Sequence, residues 1–98
     1  MKRYEIRKNY RELKSQEDIK PGCTLDQRDQ EPENLKSFED KAEALEALKS
    51  YTGKVEKLSG GAGTFYAVTE FYVEENDYDE DGEWCDGGNV WGFADIEK

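Results

Sequence analysis

The chain has no histidine, only two cysteines and two prolines in 98 residues, and no long apolar run. Without His there is no Ser-His-Asp triad, no imidazole general base and no His-ligated zinc site. Cys23 and Cys85 stand far apart, and neither belongs to a C-x-x-C pair. They are expected as reduced thiols, and as nucleophiles they would have no imidazole to activate them. No stretch approaches the roughly 18 apolar residues of a membrane span. The start Met1-Lys2-Arg3-Tyr4-Glu5 is basic, but the apolar segment of a secretory signal does not follow it. A cytoplasmic location is therefore expected.

Positive charge is also scarce. Fourteen Lys and Arg face 24 Asp and Glu, a net charge of −10 at pH 7. That excess argues against direct binding to nucleic acid or an anionic membrane, which need a basic footprint. With 39% charged residues the composition alone would suit disorder, but twelve aromatics (two Trp, six Tyr, four Phe) oppose it. The length suits a single domain over 1–98, burying roughly 60–65% of its unfolded surface. The charge is unevenly spread. Residues 1–20 are net +3, residues 21–69 net −3, and residues 70–98 net −10 with one basic side chain.

Residues 2–8 alternate charged and apolar, with Tyr4 and Ile6 on one face, which is the period of a half-buried strand. From 15 to 36 the chain is polar and holds Pro21-Gly22 and Pro32, so a long mobile loop is expected. Phe38, Ala42, Leu45, Leu48 and Tyr51 then recur at spacings of three and four, predicting an amphipathic helix over 39–51. Ser37…Asp40 and Asp40…Glu43 both have capping-box spacing, and Gly53 sits where a helix C-cap glycine belongs. Strands are expected at 54–58, 64–75 and 90–96. The second would place Phe65, Ala67, Thr69, Phe71 and Val73 on one face and Tyr66, Val68, Glu70, Tyr72 and Glu74 on the other. The expected fold is α+β: one helix on an antiparallel sheet of about four strands, in the order β-(long loop)-α-β-β-β.

Gly60-Gly61-Ala62-Gly63 invites a phosphate-loop reading, but a strand follows it rather than a helix, so it is read as a hairpin turn. The segment 76–89 is read as an acidic loop. Asp77, Asp79, Asp81 and Gly82 match the first half of a D-x-D-x-D-G calcium loop. The second half fails, because Gly88 occupies the place of the bidentate Glu and the flanks read as strands. Calcium at Asp77, Asp79 and Asp81 is the alternative reading, and a structural domain with no ligand is the second. Among so many loop carboxylates no pair can be singled out for acid–base work, so no enzyme is expected and no cofactor other than that calcium. Eight of the thirteen residues from Glu74 to Asp86 are acidic, and aromatics are interleaved with them. Carboxylates steer a basic partner, and Tyr or Trp supplies contact area and a cation–π face. The candidate partner-binding residues are Glu74, Glu75, Tyr78, Asp79, Glu80, Asp81, Glu83 and Trp84.

The stretches Lys2-Arg3-Tyr4-Glu5-Ile6-Arg7, Phe38-Glu39-Asp40-Lys41-Ala42-Glu43-Ala44-Leu45 and Tyr66-Ala67-Val68-Thr69-Glu70-Phe71-Tyr72-Val73 resemble small acidic accessory proteins of gram-positive phages and mobile elements. The resemblance implies no catalytic or binding residues. It does raise one possibility, because such elements encode acidic proteins that imitate the charge of DNA and occupy the nucleic-acid sites of host defence enzymes. The expected function is a non-enzymatic acidic module that binds a basic protein surface, of the kind a nucleic-acid-binding protein presents.

Overall fold

The computed structural model describes residues 1–25 and 30–97. Its spine is a pair of long antiparallel strands, β1 (Lys2–Leu13) and β4 (Gly63–Tyr78). They stay in register from Lys2↔Asp77 to Leu13↔Tyr66, so the basic start of the chain lies along its acidic last third. Strand β2 (Glu33–Phe38) covers the outer edge of β1 only from Tyr4 to Lys8. The far edge of β4 is shared end to end. Strand β3 (Gly53–Gly60) pairs with its first half and β5 (Trp84–Phe93) with its second. A two-residue strand, β6 (Ile96–Glu97), runs parallel to the start of β3. The helix α1 (Lys41–Leu48) joins β2 to β3.

This corrects the α+β expectation. The sheet is mixed and six-stranded, and 58% of the described residues are strand against 12% helical, counting a single 3-10 turn at Gln16–Asp18 with α1. The physical reason is that pairing partners, rather than local propensity, make two of the strands. Glu33–Phe38 has only Leu35 and Phe38 as apolar residues, and it becomes a strand because it lies against the edge of β1. Trp84–Phe93 holds three glycines and reads as turn-rich, yet it pairs with Tyr72–Tyr78 through three register shifts. The expected loop at 76–89 is therefore a hairpin whose turn is confined to 79–83.

Helix α1 is shorter than the predicted 39–51. Asp40 is its N-cap, with a side-chain oxygen accepting from the Ala42 N–H at 3.1 Å. Gly53 does not cap the helix. It opens β3, donates its N–H to the Asp95 carbonyl at 2.7 Å, and leaves no room for a Cβ, which would stand 2.8 Å from the Thr69 carbonyl oxygen.

Both faces of β4 are covered. On one, Val73 and Ile6 are buried with Ala44 and Leu48 of the helix and with Ala94. On the other, Val68 and Leu13 are buried beneath Ile19 and Cys23 of the 15–25 segment. Complete burial of side chains such as Ile6 or Val73 stabilises by about 1.5–3 kcal/mol each. The 15–25 segment is anchored by polar contacts as well. Glu70, fully buried, accepts from the Gly22 N–H and from the N–H and hydroxyl of Thr24. Residues 26–29 of the expected 15–36 loop lie outside the described residues. Both cysteines are free, Cys23 buried and Cys85 exposed. Among the described residues no helix is long and apolar enough to cross a membrane.

Candidate protein-interaction site

The β4–β5 hairpin sorts the acidic residues into two classes. Those on the strands are occupied. Glu75, on the helix side of β4, accepts from the Tyr4 hydroxyl at 3.1 Å, from Asn89 Nδ2 at 3.4 Å and from Trp91 Nε1 at 3.3 Å, with Lys2 Nζ at 3.6 Å. Burial pushes the Glu75 carboxyl up, but these hydrogen bonds and Lys2 outweigh it and hold the group below its ordinary range. Asp77 is held low chiefly by the hydrogen bond it accepts from the N-terminal ammonium at 2.9 Å, with Lys2 adding to the effect. Glu74, on the opposite face, sits 3.5 Å from Arg7 Nε and accepts from Asn76 Nδ2 at 3.0 Å.

The opposite face also holds a polar knot centred on Glu5, which is 4% exposed. Its carboxylate accepts from Asn76 Nδ2, Asn34 Nδ2 and the Tyr78 hydroxyl, and Arg7 Nη2 lies 3.7 Å away. Burial, and then the bond to Glu5, raise the Tyr78 phenol above its ordinary value. Trp84 Nε1 donates to Asn76 Oδ1 at 2.8 Å, tying β5 into the same knot. Beside it lies a recess of about 350 Å³ lined by residues of β1, β2 and the hairpin turn, among them Glu5, Ser37, Tyr78 and Glu80.

The turn residues are different. Asp79 Oδ1 accepts from the N–H groups of Asp81 and Glu83, both at 2.9 Å, and Gly82 takes a left-handed φ of 83° that a side chain would strain. The Asp79 N–H donates to the Glu83 carbonyl at 2.8 Å, and the Tyr78 N–H donates to the Met1 carbonyl at 2.9 Å. The tip is thereby fixed to the strand ends. Among the described residues Asp79, Glu80, Asp81, Glu83 and Asp86 have no ion pair, although every other acidic residue from Glu74 to Asp86 has one. Trp84 stands next to them, 59% exposed.

The structure thus divides the eight expected partner-binding residues. Glu74, Glu75 and Tyr78 serve the strands, and Asp79 shapes the turn. Glu80, Asp81, Glu83 and Trp84 remain at the surface. The three aspartates expected around calcium are not grouped. Asp77 is spent on the N-terminus, Asp79 on the turn, and no three His, Cys, Asp or Glu side chains among the described residues are placed to hold a metal. Glu5, Asn34, Asn76 and the N-terminal ammonium were missed by sequence reasoning. The alternation of β1 does put Glu5 and Arg7 on the face opposite Ile6, a signal for a buried ion pair once that strand is known to be central. No family model, curated protein or solved structure matches the chain.

Proposed function

We propose that the protein is a non-enzymatic interaction module whose hairpin tip docks on a basic protein surface. The observation that carries this reading is the set of carboxylates at 79–86 without an ion pair among the described residues, on and just after a turn pinned at both ends and beside a half-exposed Trp84. Unpaired carboxylates in one place steer a cationic partner, and an indole fixed at its Nε1 supplies contact area at little entropic cost. Because the turn is short and hydrogen-bonded, the charges are presented in one arrangement. An acidic surface of this kind suits a protein that itself grips nucleic acid, in line with the resemblance to accessory proteins of mobile elements.

The test is affinity capture with two charge-matched variants. Glu80→Gln/Asp81→Asn/Glu83→Gln neutralises the tip, and Glu43→Gln/Glu46→Gln/Glu56→Gln removes the same charge from exposed positions elsewhere. Wild type and the second variant are expected to retain the same discrete basic proteins at about 0.1 M NaCl and to release them towards about 1 M. The tip variant is expected to retain none. Equal loss in both variants would mean that only net charge matters, and the reading would fall.

A further inference from the structure

The recess beside the turn, about 350 Å³, lies at the small end of ligand-binding cavities and has room for one side-chain head group. Its polar lining is Glu5, Asn34, Ser37, Tyr78, Asp79 and Glu80, together with Arg3 and the N-terminal Met1. Two donors of that lining are turned inward. Asn34 Nδ2 and the Tyr78 hydroxyl both donate to Glu5. What is left over is mostly acceptors: the Asn34 carbonyl, the Tyr78 and Ser37 oxygens, and three carboxylates.

Each cation of the wall already has a carboxylate partner. Arg3 Nη1 lies 3.3 Å from Glu39, and the N-terminal ammonium lies 2.9 Å from Asp77. Arg7 behind the wall is shared between Glu5 at 3.7 Å and Glu74 at 3.5 Å, one cation for two buried or half-buried carboxylates. An acceptor-rich, net-negative cavity calls for a group that has only donors and a fixed positive charge. Guanidinium has five N–H donors in a planar fork and no acceptor, whereas an ammonium has three donors and holds its water more tightly.

We infer that this recess is a socket for a single arginine side chain of the basic partner, with Glu5 as the buried counter-charge and Ser37, Tyr78 and Glu80 as further acceptors. The inference rests on the interaction reading above. The tip would steer the encounter, and the socket would fix the register.

The test uses the whole protein, ¹⁵N-labelled, and three neutral-flanked pentapeptides that differ only in a central arginine, lysine or citrulline. The arginine peptide is expected to shift the amides of Asn34, Ser37 and Tyr78 saturably. The lysine peptide is expected to bind several-fold more weakly and citrulline not at all. Glu5→Gln is expected to lower arginine affinity about tenfold or more. Because that change touches the polar knot, Ser37→Phe serves as a second variant. It fills the socket from an edge strand and leaves every tip carboxylate in place, and it is expected to cost about as much. Shifts confined to 80–86, equal binding of lysine or citrulline, or unchanged affinity in folded Ser37→Phe would each overturn the socket. Those results would leave tip-dependent capture of basic proteins standing. Loss of tip dependence with arginine still binding in the recess would overturn the interaction reading instead.

Discussion

At the scale of single residues, the two buried polar groups at the middle of the sheet, Glu70 and Asn9, face each other across β1 and β4. Glu70 is saturated by three donors from Gly22 and Thr24, none of them charged. Asn9 is 1% exposed, and among the described residues neither atom of its amide has a hydrogen-bond partner. A hydrogen bond to a charged group contributes about 1.5–3 kcal/mol, and a buried polar atom left alone costs about 1–3 kcal/mol. The two positions should therefore respond with opposite sign. Glu70→Gln should destabilise by roughly 2 kcal/mol, since an amide can replace only part of the acceptor set. Asn9→Leu should stabilise by about 1 kcal/mol, because it removes an unpaired amide from the same interior. Urea midpoints at constant m-value measure both. Sequence reading put Glu70 on the mixed face of its strand but had no sign that Gly22 and Thr24, nearly fifty positions away, would meet it.

The hairpin is the element on which both the interaction reading and the socket depend, and its glycines separate two kinds of constraint. Gly87 has φ 137°, and a Cβ there would lie 2.6 Å from Asn76 Cα and from the Glu75 carbonyl oxygen. Gly88 has φ 92°, and a Cβ there would meet nothing within 4 Å among the described residues. Gly88→Ala meets only the conformational penalty, about 1–2 kcal/mol. Gly87→Ala adds a backbone clash at one of the register shifts of β5, so its loss should exceed that of Gly88→Ala by about 1–3 kcal/mol. Amide hydrogen exchange is the direct reading: Gly87→Ala should raise exchange across Trp84–Phe93 while the β1–β4 pairing keeps its protection. The long alternating strands and the helix stripe were legible because each shows its period within its own residues. β2, β5 and the rigidity of the acidic turn were not, because glycine and aspartate signal turns wherever they occur. Only the partner strand decides whether Asp86-Gly87-Gly88 bends freely or is pinned against Asn76.

Across the whole molecule, the uneven charge seen along the chain turns out to be a pairing pattern. The basic first strand lies antiparallel to the acidic end of β4, and Met1–Asp77, Lys2–Glu75 and Arg7–Glu74 join them within one molecule. The surplus left after that pairing is concentrated at the tip, so the net charge of −10 is a local property more than a global one. The pairing also sets how stability follows pH. Glu75 and Asp77 are held below their ordinary values of 4.5 and 3.8, so the unfolded chain takes up protons at these sites before the folded protein does. Their contribution is fully present above pH about 5 and is lost as pH falls through the lower, folded values. On the other side, burial raises the Cys23 thiol above 9.0 and the Tyr4 and Tyr78 phenols above 10.0, so the folded form holds those protons longer and loses stability as pH climbs past those values. Thermal melts across this range should therefore give a plateau near neutrality with a fall on each side. Glu75→Gln should lower the plateau and flatten the acid limb, and it should also soften the alkaline limb, because burial and then the Glu75 carboxylate raise the Tyr4 phenol. An acid limb as steep as that of wild type would show that Glu75 and its ring of donors do not link the two ends of the chain. Neutralising the tip with Glu80→Gln/Asp81→Asn/Glu83→Gln should leave both limbs in place, because those carboxylates have no ion-pair partner among the described residues to lose.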